Sequence, residues 1–214
     1  LYADMIEKYG WYNRNAAINP YLLEGKKTVS LELMEQLNWQ VPDYVAVSVG
    51  DGCTIAGVWK GLTDLYNIGL IDCLPRLLAV QAEGCCPINR AYISGQPLQP
   101  MAENTLADSI AVGVPRNAKK ALAAMRESGA LAVNVSDEQI LAAMRLLGRS
   151  SGVFGEPAGV AALAGVAKAR AERLLPETAS VAYIVTGNGL KDVANGIAAA
   201  GEPRYVRPDE DIVL

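Results

Sequence analysis

The chain has 214 residues, of which 51% are apolar and 20% charged, and a formal net charge of -4. So high an apolar fraction with so small a charge excludes disorder as the main state, and the length suits one large domain or two small ones. Histidine is absent, which excludes a Ser-His-Asp triad, a Cys-His pair and histidine-ligated zinc. The chemistry left runs on lysine, carboxylates, hydroxyls, backbone amides or a bound cofactor.

The sequence pI of about 5.0 supplies no basic stripe to neutralise phosphates, so nucleic acid is not an expected partner. No apolar run approaches the roughly 20 residues that span a bilayer, so no membrane is expected either. The cysteines, Cys53, Cys73, Cys85 and Cys86, form no Cys-x-x-Cys. They read as buried or half-buried free thiols in a reducing cytosol, and no metal site is expected. Cys53 stands apart because it lies in a glycine-rich loop.

Residues 2 to 9 read as the end of an amphipathic helix stopped by Gly10. Trp11 to Lys27 reads as irregular, with Asn19-Pro20 as a turn signal. Thr28 is expected to cap a helix to about Asn38. Tyr44 to Val49, valine-rich and bounded by Pro-Asp and Gly-Asp-Gly, reads as a buried parallel strand. A helix Thr54 to Asn67 and a strand Leu77 to Gln81 complete a βαβ unit.

Further on, Ala118 to Ser128 reads as helix and Leu131 to Val135 as strand. Ser136-Asp-Glu-Gln139 is a capping box that opens a helix to about Leu147. Glu156-Pro157 starts an alanine-rich helix to about Leu174, and Ser180 to Val185 reads as a second strongly buried strand. A last helix runs from about Asp192 to Ala200. Alternating strands and helices give the α/β class, an open, mainly parallel sheet with helices on both faces.

Two places share the order apolar strand, glycine-rich turn, helix. In open α/β sheets ligands bind beyond the carboxyl ends of the strands, so both are candidate sites. The first is Gly50-Asp51-Gly52-Cys53-Thr54, whose amides and following helix suit a phosphate. Ile55 breaks a dinucleotide fingerprint, and Gly57-Val58-Trp59 does not supply the Gly-Lys-Ser/Thr of a P-loop. A ligand-free tight turn is the other reading. The second is Thr186-Gly187-Asn188-Gly189, where a hydroxyl could meet a flat ring nitrogen while glycine lets the ring approach.

Asn19-Pro-Tyr-Leu-Leu-Glu-Gly-Lys-Lys-Thr28 resembles the Asn-Pro-x-x-x-Glu-Gly-x-Lys-Thr segment of threonine synthases. With the Gly50–Thr54 loop, Leu74 to Gly84, Val135 to Ile140, Gly155 to Gly159 and Thr186 to Asp192, it resembles the fold type II (tryptophan synthase β) family of pyridoxal-phosphate enzymes, on its threonine-synthase branch. The resemblance implies a lyase of amino-acid metabolism, making threonine from an activated homoserine ester, cytoplasmic and homodimeric, with a small amino-acid substrate. It implies that the amides of Gly50, Asp51, Gly52, Cys53 and Thr54 bind the cofactor phosphate. Thr186 would face the pyridine nitrogen with Gly187 beside it, Glu156 would lie near the ring, and Asn19 and Glu24 on the substrate side.

The resemblance also implies what is missing. The family holds the cofactor on a lysine in a Ser-x-Lys context upstream of the Asn-Pro segment, and no such context occurs here. The N-terminal third of the family fold is therefore expected to be absent, with residues 1–16 the tail of the smaller domain and 17–214 the remainder of the large one. Little or no activity is expected of this chain alone. Leu22 stands where an arginine is expected to pair a substrate phosphate, with Arg14 and Lys26 the cations available to replace it. A serine/threonine dehydratase-like elimination, and a non-catalytic phosphate-binding module, are the alternatives.

Overall fold

Four parallel strands carry the fold in the computed structural model, which describes residues 2–201 and 205–207. They are β1 Tyr44–Ser48, β2 Arg76–Ala82, β3 Leu131–Val135 and β4 Val181–Tyr183, in the order β3-β2-β1-β4. Val45 lies opposite both Leu77 and Ala182, and Ala79 lies opposite Ala132. Parallel neighbours cannot be joined by tight hairpins, so helices fill the connections. The helices are α1 Tyr2–Tyr9, α2 Pro20–Lys26, α3 Thr28–Gln36, α4 Cys53–Asn67, α5 Pro87–Ser94, α6 Ala118–Glu127, α7 Asp137–Ser151, α8 Pro157–Ala171 and α9 Val193–Ala200.

The period of two along each strand divides the core between the two faces of the sheet. Val45, Val47, Leu77 and Ala79 point to one face, where they meet Met34 of α3, Ile55, Val58 and Leu62 of α4, Ile88 of α5 and Met125 of α6. Ala46, Leu78, Val80, Val133 and Val135 point to the other, against Ile140 and Met144 of α7 and Val160, Ala161 and Ala164 of α8. Most of α8 is buried, which explains its alanines: a helix pressed between sheet and neighbours has no polar face to present. At Gly165 the approach is so close that a Cβ would stand 2.3 Å from Cγ2 of Val80.

Several expectations need correction. The stretch expected to be irregular contains α2: Asn19 is its N-cap, accepting from the Tyr21 N–H at 3.0 Å, and Pro20 opens it. Asn-Pro is a turn signal, but it is equally an N-cap followed by a proline at the first helical position. Thr28 is the first residue of α3 rather than its cap, and its hydroxyl donates to the Gly25 carbonyl at 2.8 Å. The expected strongly buried strand is short and only partly buried, because β4 has β1 as its one neighbour among the described residues. The capping box is present as read, but α7 runs four residues further to Ser151, while α8 stops at Ala171. Cys73 is exposed, although all four cysteines are free.

Two glycines separate packing from propensity. Gly165→Ala forces a methyl into Val80 and is expected to destabilise by about 1–3 kcal/mol, the usual cost of overpacking. Gly148, also inside a helix, has nothing within 4 Å of its missing Cβ. Gly148→Ala is expected to stabilise by roughly 0.5–1 kcal/mol through helix propensity alone. Urea unfolding of both variants checks the opposite signs.

Candidate functional site

The carboxyl end of β1 runs into the turn 49–52 and then directly into α4. Gly52 takes φ +87°, a left-handed conformation that a side chain would strain, and it is the N-cap of α4. No side chain caps this 15-residue helix, so its first-turn amides stay available to a ligand. The turn is held from outside. Gln81 Nε2 donates to the Val49 carbonyl at 3.1 Å, and Asn117 Nδ2 donates to the Gly52 carbonyl at 3.1 Å. Asp51 Oδ1 accepts from the Arg116 N–H at 2.5 Å, and the Asp51 carbonyl accepts from the Asn117 N–H at 3.2 Å. Gly50 backs onto the short helical turn Asp108–Ile110, where a Cβ would stand 2.9 Å from the Ile110 Cα.

Over this turn lies a cavity of about 240 Å³. Its wall takes in the whole stretch from Ser48 to Ile55, together with Lys26 from α2, Ser109, Ala158 at the start of α8, and Thr186. Ser48, buried at the strand end, accepts from the Ala162 N–H at 2.9 Å and so ties α8 to the floor of the site. The two glycine-rich turns therefore meet at one place: Gly50, Asp51, Gly52, Cys53 and Thr54 on one side, and Thr186 on another.

The other expected site residues lie behind or beside this cavity. Glu156 is buried at the N-terminus of α8, where its carboxylate pairs with Lys191 at 2.9 Å. The Glu156 N–H donates to the Gly187 carbonyl at 2.9 Å. Gly187 is needed for this packing: a Cβ there would stand 2.0 Å from Oε1 of Glu156. Gly189 similarly accommodates the Phe154 ring. Asn19 is buried, capping α2 and donating from Nδ2 to the Asn13 carbonyl at 2.9 Å. Glu24 belongs to an ion-pair cluster with Lys27 at 2.9 Å and Lys60 at 3.5 Å, and it does not line the cavity. Arg14 does not line the cavity, whereas Lys26 does. Ser109 and Ala158 are lining residues that the sequence did not single out. Glu156-Pro157, a helix start after a buried carboxylate, was the nearest signal to Ala158, and nothing in the sequence pointed to Ser109.

Comparisons with known proteins identify the family and the fold. Residues 1–187 match the model of the family described as "Pyridoxal-phosphate dependent enzyme". Over 199 residues the chain is 40% identical to the threonine synthase of Methanocaldococcus jannaschii and 41% identical to that of Methanosarcina acetivorans. Those alignments cover 92% of this chain and 49% of each relative, so the chain spans about half the length of the curated relatives it matches. Among solved structures, the processed form of threonine deaminase isoform 2 from Solanum lycopersicum superposes with a TM-score of 0.72 at 21% identity. That superposition covers 92% of this chain and 54% of the other, and it shows the shared fold. The family model covers most of the chain, including both glycine-rich strand ends as far as Gly187: the chain belongs to the pyridoxal-phosphate dependent enzymes.

Proposed function

We infer that the chain is the phosphate-cradling and ring-facing part of a threonine-synthase-like lyase. The observation that carries this is the convergence of the Gly50–Thr54 turn and Thr186 on one cavity at the carboxyl end of β1. The donor set fits pyridoxal phosphate. The start of α4 offers uncapped amides to a phosphate, and the nearby Asp51 carboxylate is already engaged by the Arg116 amide. The bound cofactor supplies an electron sink for bond breaking next to an amino group.

This chain's own residues do the holding. Amides of Gly50 to Thr54 would bind and orient the phosphate. Thr186, which lines the cavity, would meet the ring nitrogen with a hydroxyl, which favours a neutral nitrogen where a carboxylate would favour a protonated one. Glu156, locked by Lys191, fixes the position of Gly187 and thereby of Thr186. The lysine that holds the cofactor, and the rest of the substrate side, lie on our reading in a part of the protein that this chain does not contain.

Leu22 favours a second reading. It lies on α2 away from the cavity lining, so it gives no cation to a substrate phosphate. That suits α,β-elimination from serine or threonine. Incubating the full-length gene product with O-phosphohomoserine and pyridoxal phosphate is expected to release phosphate and form threonine. Oxoacid formation from serine or threonine, with no turnover of phosphohomoserine, would overturn the first reading in favour of the second. For the 214-residue chain, borohydride reduction after incubation with the cofactor is expected to leave every lysine unlabelled, and a stable adduct on an internal lysine would contradict that.

Cys53 forms part of the wall and does not act as a nucleophile. It is buried, and burial together with the Asp51 carboxylate at 3.7 Å pushes its thiol up to about 11. At pH 8 well under a hundredth of it is thiolate, by about three decades of pH. Iodoacetamide at pH 8, followed by peptide mass spectrometry, is expected to alkylate exposed Cys73 well before Cys53.

A further inference from the structure

Lys26 and Lys27 are neighbours in sequence with different surroundings. Lys27 Nζ lies 2.9 Å from Glu24 and 2.9 Å from Asp64. Lys60 joins the same carboxylates at 3.5 and 3.2 Å. These four charges neutralise one another further along α4, at Lys60 and Asp64, beyond the residues that line the cavity. Lys26 makes no ion pair with a carboxylate among the described residues, is half-buried, and lines the cavity over the glycine turn.

Its placement is built into the backbone. α4 carries glycine at positions 57 and 61, one helical turn apart on one face. A Cβ on Gly57 would stand 2.7 Å from the Cβ of Lys26, and one on Gly61 would stand 2.5 Å from the Lys27 carbonyl. Only glycine admits so close an approach of the α2–α3 junction to α4. Gly57 is one turn beyond Cys53, so the contact sets the stem of Lys26 against the first turn of α4, beside the uncapped amides. A half-buried lysine that lines a cavity can pack its aliphatic stem and still offer its ammonium to a ligand there.

We propose that Lys26 is the side-chain cation that seats a phosphate monoester on the amides of the Gly50–Thr54 turn. The proposal rests on the functional reading above for the source of that phosphate, the cofactor or a phosphorylated amino-acid substrate, but not for the anion site itself. Lys26 also acts electrostatically on the turn, favouring the charged form of Cys53 against the opposing effects of burial and Asp51. An anion arriving there meets oriented amides and a mobile ammonium together, the combination that gives charge-assisted hydrogen bonds.

The test is calorimetric titration of the 214-residue chain and its variants with inorganic phosphate. Lys26→Met keeps the stem and removes the charge. It is expected to weaken phosphate binding about tenfold or more, the effect of one charge-assisted hydrogen bond, and to flatten the salt dependence. Lys26→Arg is expected to recover most of the affinity, and Lys119→Met, on exposed α6 surface, to change nothing. Unchanged thermal midpoints separate lost charge from lost fold. No phosphate binding to the native chain, or equal binding by native and Lys26→Met proteins, overturns the proposal. So does a borohydride-reducible adduct on Lys26, since an ammonium held by phosphate does not attack an aldehyde.

Parallel titrations with pyridoxal phosphate and pyridoxal test the functional reading separately. If phosphate binding depends on Lys26 while the cofactor shows no preference over pyridoxal, the anion site stands and the cofactor reading falls. In the full-length protein, faster cofactor loss in Lys26→Met identifies the cofactor's phosphate as the occupant. A raised KM for phosphohomoserine at unchanged cofactor affinity identifies the substrate's. Either result supports Lys26 as the anchor.

Discussion

The start of α4 is the constraint on which the site depends. A helix that begins without a side-chain cap leaves amide groups that need an acceptor, and here those groups face a cavity. Holding them there takes a turn that cannot relax. Gln81, Asn117 and the Arg116 amide each grip a different part of residues 49–52 from outside the cavity. Gln81 is fully buried and also accepts from the Asn89 N–H at 2.8 Å, so the turn is tied through β2 to the start of α5. Of these bonds, the one from the Arg116 amide engages the carboxylate of Asp51, which lines the same cavity. A rigid positive concavity follows from where three hydrogen bonds come from, more than from the glycines alone.

The glycines make a different contribution. Gly50 and Gly52 let the turn lie against the Asp108–Ile110 turn and α6, while Gly57, Gly61 and Gly165 let whole helices close on their neighbours. Gly187 and Gly189 had suggested a close approach by a flat ring. Their missing side chains are instead filled by Glu156 and Phe154. Thr186 still reaches the cavity, so the second turn presents its hydroxyl through protein–protein packing. Glycine spacing in a sequence marks where backbones approach something, and only the packing says whether that something is a ligand.

What the sequence made legible follows from which interactions are local. β1 and β2 were readable to within a residue at each end, because their apolar runs are bounded by strong turn signals and buried on both faces. The capping box at Ser136 was readable because both of its hydrogen bonds span three residues. β4 has a similar apolar run and was misjudged, since burial depends on how many strands flank it, and that is not local. α5 went unread although Pro87 opens it and Gly95 closes it at φ +67°. Its eight residues show too little periodicity to outweigh a loop-like flank. The Gly50–Thr54 turn and Thr186 were legible as strand-end motifs, but their meeting, and the arrival of Ser109, Ala158 and Lys26, are products of the sheet order.

Lys26 shows how that order converts charge into selectivity. In the sequence it is half of a basic pair, and such pairs on surfaces contribute little because water and salt screen them. The α2–α3 junction divides the pair. Lys27 turns to Asp64 and Glu24, and those bonds raise its pKa to about 12 while holding both carboxylates below their usual range. Glu24 and Asp64 are engaged by Lys27 and Lys60, and the Asp51 carboxylate that shares the cavity with Lys26 is held by the Arg116 amide. The cluster further along α4 thus leaves the charge of Lys26 unpaired by those acids near the start of the helix, next to amides that carry the same sign of partial charge. Two like-signed groups held together without a counter-ion repel, and that repulsion is relieved when an anion binds. Gly57 and Gly61, which fix the junction against α4, are therefore as much a part of the anion site as the residues that line it.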